Sequence, residues 1–139
     1  MIAYLDSSVL LRKVLGQSGA LQEWPSIRIG VTSALAGTEC LRTLDRFRLR
    51  TGLSDHKLAL RREMVFRLFE RLEVIDVTAA VLDRAAQPIP TELGTIDAIH
   101  LATAVLWREH SGADLVMATH DVALATAARA SGLAVVGNT

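Results

Sequence analysis

An α/β sandwich, with a central mostly parallel sheet of about four to five strands between helical layers, is predicted by three observations. Short β-rich runs alternate with helical stretches along the chain, half of the residues are apolar, and the 139 residues carry no internal repeat, low-complexity tract or linker. Alternation of this kind implies parallel strands joined by right-handed crossovers and covered on both faces. A chain of this length fits one domain with a sizeable core, and residues 1–139 are read as a single domain.

The strands are expected at IAYL (2–5), IRIGVT (27–32), LEVIDV (72–77), DLVMAT (114–119) and LAVVG (133–137), each a short apolar run rich in β-branched residues. SSVLLRKVLG follows the first strand as a helix. Two helices fill 33–50 and 54–71, with Ser33 as a cap and Gly52 and Ser54 marking the break between them. A short helix covers 79–86, a long one spans 95–110 with Thr95 as its cap, and a last one begins after His120. Gly112 and Gly132 mark two later helix ends. AAQPIPTELG at 85–94 is expected to be the longest irregular stretch, ordered by its prolines.

Fifteen basic residues balance fifteen acidic ones, so overall charge points to neither nucleic acid nor membrane. The lone Cys40 can close no internal disulfide and has no partner for a zinc or redox motif, which suits a reducing, cytoplasmic setting. The amino terminus has no basic leader, and no window approaches the roughly 18 apolar residues that a membrane span needs.

The acids carry the chemistry. In a parallel sheet, ligands bind beyond the carboxyl ends of the strands, where helix amino termini converge. Asp6 directly follows the first strand, and Asp121 repeats that placement after DLVMAT with Thr119 two residues before it. Glu39 sits about two turns into its helix among uncharged neighbours, and Asp97 lies in the first turn of TIDAIHLATAVLW, a helix apolar on nearly every side. Each alone could be a cap or a dipole partner; four on one rim is another matter. Carboxylates so gathered push one another's pKa upward, and a divalent cation resolves the conflict. Oxygen ligands without clustered Cys or His favour Mg²⁺ or Mn²⁺, which can polarise a phosphoryl oxygen and activate water.

In the same helix Asp97, His100 and Thr103 fall at successive i+3 steps, one polar stripe on an apolar cylinder. Asp97 is expected at the mouth of the rim, with His100 and Thr103 deeper as hydrogen-bonding support. His56, His100, His110 and His120 show no zinc-hydrolase spacing, and Ser7 and Ser8 lack a nucleophile-elbow setting. A haloacid-dehalogenase-like phosphatase would want a second Asp where Ser8 stands. A receiver-like phosphoryl-transfer domain would want paired acids before its first helix and a phosphorylatable Asp after a middle strand, where Asp76 is the one candidate.

Together, YLDSS at 4–8, TSALAGTECLRTL at 32–44, TIDAIHLATA at 95–104 and THDVALATAA at 119–128 resemble the PIN-domain ribonucleases, and more narrowly the VapC-type toxins of bacterial type II toxin–antitoxin pairs. The resemblance runs in order through essentially the whole chain. It implies a PIN-like three-layer α/β/α fold, and Asp6, Glu39, Asp97 and Asp121 as a catalytic quartet holding Mg²⁺, Asp6 and Asp97 foremost. It implies Ser7 and Thr119 as polar partners that orient the acids. It further implies RNA cleavage by metal-activated water leaving a 5′-phosphate and a 3′-hydroxyl, a homodimer, a small cognate antitoxin, and contact with DNA only through the antitoxin complex. A PIN-like domain that only binds partners is the alternative, and the presence of all four acids argues against it. Gly37 and Thr38 depart from the bulkier or more apolar pair often found before the acid at position 39.

Residues 42–71 hold nine basic residues and four acids, an excess that could seat RNA phosphates beside the rim or simply solvate a helix pair. The apolar residues of LRTLDRF and MVFRLFERL exceed one core-facing stripe and suggest a surface for a second copy or an antitoxin helix. Trp24 and Trp107 read as packing residues.

Overall fold

The computed structural model describes residues 1–138. The described chain runs β1 (Ile2–Leu5), α1 (Ser7–Leu15), β2 (Ile29–Ser33), α2 (Ala34–Thr51), α3 (Asp55–Glu70), β3 (Glu73–Ile75), α4 (Ala79–Ala85), α5 (Thr95–Ser111), β4 (Val116–Ala118), α6 (Val122–Ala130) and β5 (Ala134–Val136). All five strands pair in parallel in the order β3-β2-β1-β4-β5, so the sheet is wholly rather than mostly parallel. The order also sets aside the receiver alternative, whose flavodoxin-like sheet runs 2-1-3-4-5. Among the described residues no helix is long and apolar enough to cross a membrane.

Alternation along the strands divides the core. Ala3 and Leu5 of β1 face α1, α2 and α3, meeting Val9, Leu10, Cys40, Leu44 and Val65. Tyr4 faces the other way with Val31 and Met117, against Leu101 and Val105 of α5 and Leu124 and Ala128 of α6. The sheet thus sits between two helical layers, and α4 packs on the outside of α5 through Val81, Ile99 and Ala102. Burying each of these larger side chains contributes about 1.5–3 kcal/mol.

Most helices start on a side chain that accepts an amide otherwise left without a partner. Asp6, Ser33, Ser54, Thr78 and Asp121 serve α1, α2, α3, α4 and α6 in this way. Helix α5 differs from expectation: Thr95 lies inside it, and Gly94 occupies the cap without a side-chain bond. The ladders are shorter than the apolar runs, because the flanking residues have other tasks. The Thr119 hydroxyl oxygen accepts the Asp121 amide where the chain turns into α6, although the Thr119 amide still donates to the Val136 carbonyl, and the amide of Thr78 turns back to the Asp76 carbonyl.

The connection spanning 16–28, broken by a single 3-10 turn at Trp24–Ser26, is longer than the 86–94 loop, contrary to the ranking expected from the prolines. Trp24 lies beneath the Lys13 ammonium, 5.2 Å from nitrogen to ring centroid. Trp107 packs against the second core and donates its indole N–H to Glu73 at 3.0 Å. Gly37 faces the Phe69 ring of α3, where a Cβ would stand 3.5 Å away in ordinary van der Waals contact, so the packing does not demand glycine there.

Sheet order places the candidate site. From β1 the chain winds outward through β2 to β3, then returns to β4 on the other side, so the crevice between β1 and β4 is the switch point where ligands of such sheets bind. Gly137, just past β5, lies against the residue that follows β4 with φ of 88°, and a Cβ there would lie 2.8 Å from the Thr119 carbonyl oxygen. Gly137→Ala is therefore expected to lower stability by at least about 1–2 kcal/mol, the cost of a left-handed L-residue, with urea denaturation as the measurement.

Candidate active site

The centre of the site is the Asp6 carboxylate, 3 % exposed at the end of β1. One oxygen accepts the Ser8 hydroxyl at 2.6 Å and the Val9 amide at 3.2 Å; the other accepts the Thr119 hydroxyl at 2.6 Å. The same hydroxyls reach the facing loop, since Ser8 Oγ accepts the His120 amide at 3.0 Å and Thr119 Oγ1 accepts the Asp121 amide at 3.0 Å. Hydrogen bonds to a charged acceptor contribute about 1.5–3 kcal/mol each. Burial still outweighs them, because the Asp6 pKa lies above the ordinary aspartate range in spite of all three.

Asp97 is raised too. Burial is the larger cause, followed by the charge of Asp121; His100 eases the effect, and Asp6 and Glu39 add to it. The charges that act on Asp97 therefore include those of the three other predicted acids, which come from the cap of α1, from α2 and from the cap of α6. Asp121 caps α6 through the Leu124 amide at 2.8 Å. Glu39 reaches in from α2, where its carboxylate, 28 % exposed, meets His100 Nε2 at 2.5 Å.

His100 is 1 % exposed and uses both ring nitrogens, Nε2 toward Glu39 and Nδ1 toward the Tyr4 hydroxyl at 2.6 Å. Thr103, the third member of the expected stripe, donates to the Ile99 carbonyl of its own helix at 2.7 Å. Ser7 opens α1, and no described hydrogen bond joins it to an acid; Ser8 makes that contact instead. Sequence reasoning passed over Ser8 and Tyr4, although both had a signal. A residue two after an N-cap Asp is placed to turn its hydroxyl back on that carboxylate. A residue two before it on a strand shares its face.

Cys40, beside Glu39, is no nucleophile: burial, with Glu39 and Asp6 adding, pushes its thiol up to about 12. The basic stretch 42–71 is partly spent within the fold. Arg42 and Arg48 pair with Asp45, Arg67 pairs with Glu63, and Arg61 donates to the Val14 carbonyl at the end of α1.

Among the described residues, no three His, Cys, Asp or Glu side chains form a ready cage for an ion. The donor set suits a hard divalent cation held by one or two carboxylates and completed by water. The repulsion that raises Asp97 is what such a charge would relieve.

A parallel sheet with the buried Asp6 at its switch point, and with Asp97 raised by burial and by neighbouring acids, defines an α/β domain with acidic groups at the carboxyl end of its strands. The chain belongs to the PIN-domain family, whose sequence profile matches residues 3–130, and within it to the VapC-type toxins. It is 38 % identical over 137 residues to Ribonuclease VapC46 of Mycobacterium tuberculosis (strain ATCC 25618 / H37Rv), spanning 96 % of this chain and 95 % of that one. Among solved structures, a toxin–antitoxin complex from Klebsiella pneumoniae superposes with a TM-score of 0.68 at 18 % identity, covering 96 % of this chain and 95 % of the other. Mycobacterium tuberculosis VapC20, described as a sarcin–ricin loop cleaving toxin, superposes with a TM-score of 0.58 at 20 % identity, covering 90 % and 94 %.

The raised carboxyls fix a sign. With Asp6 and Asp97 held above their ordinary range, the cation-free native state binds more protons than the unfolded chain wherever these groups titrate, so stability falls as pH rises through that interval. Asp97→Asn removes one repelling charge and should raise the melting temperature of the cation-free protein at neutral pH by a few degrees, on the order expected for small domains. Calorimetry with and without Mn²⁺ checks this: the cation should stabilise the wild-type chain and do so less in the variant.

Proposed function

We propose that this protein is an endoribonuclease toxin that hydrolyses RNA phosphodiester bonds with Mg²⁺, or Mn²⁺ in its place, held at the rim by Asp6, Glu39, Asp97 and Asp121. The observation that carries the reading is the raised pKa of Asp97, caused by burial first and then by the charges of Asp121, Asp6 and Glu39. Similarity to a ribonuclease over nearly the whole chain supports it.

Asp97 and Glu39, both half-buried, are assigned direct contact with the cation. When bound, the cation supplies Lewis-acid polarisation of a phosphoryl oxygen and a more acidic water. Asp6 supplies fixed negative charge from below, its orientation set by Ser8, Val9 and Thr119. Asp121, tied to the first turn of α6, is placed to accept a proton from an attacking water on the open side of the rim. Arg46, Arg50, Lys57, Arg62 and Arg71, which form no ion pair with an acid in the described structure, are the members of the basic hairpin best able to contact RNA phosphates.

A cognate antitoxin is the expected regulator, by analogy with the toxin–antitoxin complex from Klebsiella pneumoniae. Phe47, Leu60 and Met64 are exposed and border a groove of about 550 Å³ between the end of α1 and the α2–α3 hairpin. Those residues suit the apolar face of a partner helix.

RNA cleavage by the purified chain should require Mg²⁺ or Mn²⁺ and stop with EDTA. Asp97→Asn should slow it by on the order of 100-fold or more, the scale set by removing one preorganised electrostatic group, while the circular dichroism spectrum stays unchanged. Cleavage that persists in both EDTA and Asp97→Asn would sink the assignment, and binding of RNA without cleavage under any cation would favour a silent binding domain. Weaker RNA affinity at higher salt would identify phosphate contacts.

A further inference from the structure

We propose that Tyr4 and His100 form a buried positioning relay that aims the Glu39 carboxylate at the rim, with the Tyr4 hydroxyl donating to His100 Nδ1 and His100 Nε2–H donating to Glu39. The inference rests on the reading of Glu39 as a ligand of the divalent cation. It assigns work to two residues that touch neither cation nor RNA.

Four features of the geometry carry it. Both contacts are short, 2.6 Å from Tyr4 to Nδ1 and 2.5 Å from Nε2 to Glu39 Oε1. Tyr4 and His100 are 0 % and 1 % exposed, so no bulk water competes for either ring nitrogen. The three residues also come from three separate elements, β1, α2 and α5, so the chain of bonds ties α2 to the sheet through Glu39. The phenol and imidazole rings meet edge to face, 5.8 Å apart and inclined by 69°, which holds the imidazole plane as well as its nitrogens.

The order of donation follows from the partners. A carboxylate can only accept, so the nitrogen facing Glu39 must carry hydrogen. A neutral ring then has a bare Nδ1, and the hydroxyl facing it donates. A tyrosine hydroxyl, with an ordinary pKa of about 10, keeps at neutral pH the hydrogen that it donates. Tyr4→Phe removes that donor while keeping the ring. The imidazole is then free to take the other tautomer, in which Nε2 offers Glu39 a lone pair instead of a hydrogen. Outer partners of this type typically change metal affinity 10–100-fold.

The test uses the full chain labelled with ¹⁵N-histidine and free of cations, followed by Mn²⁺ titration calorimetry. A long-range ¹H–¹⁵N spectrum should show His100 as the Nε2–H tautomer in the wild type and a loss of that single form in Tyr4→Phe. Mn²⁺ should bind about tenfold more weakly to His100→Ala and less weakly to Tyr4→Phe, and His100→Gln, whose amide can donate to Glu39, should recover part of the loss. An Nδ1–H tautomer in the wild type would overturn the proposal. So would Mn²⁺ affinity unchanged in variants that merely melt earlier, since that is the behaviour of packing residues. If the wild-type chain itself binds no Mn²⁺, the cation reading of the rim fails together with the affinity half of the relay, and the tautomer spectrum still decides the order of hydrogen bonds.

Discussion

The structure turns on a single buried carboxylate. Asp6 ends β1, the middle strand of the sheet, caps α1, and accepts the hydroxyl of Thr119 across the crevice. A carboxylate taken out of water costs several kcal/mol unless its oxygens are satisfied, so the chain must deliver Ser8, the Val9 amide and Thr119 to it together. That requirement fixes the β1–α1 turn, the β4–α6 turn and the distance between them. Ser8 and Thr119 serve twice, each donating to Asp6 and accepting an amide from the opposite loop or the next cap. Hydroxyl groups suit this position because they can do both at once.

Charge at the rim is accordingly a strain that the fold carries for its chemistry. The hydrogen bonds lower the pKa of Asp6 and burial raises it, and burial prevails. Asp97 has no such satisfied cage, and its neighbours Asp121, Asp6 and Glu39 push it the same way. A protein selected for stability alone would have no reason to bring four acids together. The repulsion on Asp97 is of the kind that a positive charge relieves, and functional sites commonly exchange stability for activity.

Much of this was legible before any coordinates, and the reason is local. Five strands and six helices each had a period, a cap or a glycine stop that belonged to their own few residues, so Ser33, Ser54, Gly52 and Gly112 read correctly as punctuation. The acids were legible because an uncompensated charge in an apolar segment needs a reason. What local reading missed was set by distant neighbours. Whether Ser7 or Ser8 turns toward Asp6 depends on where His120 lies, more than a hundred residues away. Thr95 fell inside α5 because Gly94 already had the extended backbone of a cap. Strand ends were overestimated wherever the next residue was claimed by a turn.

Tyr4 is the sharpest instance. By composition it is one apolar residue in IAYL, and it does bury in the core beside Val31 and Met117. Its hydroxyl has to find a partner there, because an unpaired buried hydroxyl costs roughly 1–3 kcal/mol. The partner is His100, which in turn needs one for its other nitrogen and finds it in Glu39. A polar chain therefore crosses an otherwise apolar layer, and each link is there because the one before it could not be left unsatisfied. Apolar substitution at both Tyr4 and His100 would remove the need for the chain altogether, and a core of Phe and Leu would pack in the same space. That the sequence keeps two buried polar rings leading to an acid on the rim is the physical reason to connect the interior of the sheet sandwich with the aim of Glu39.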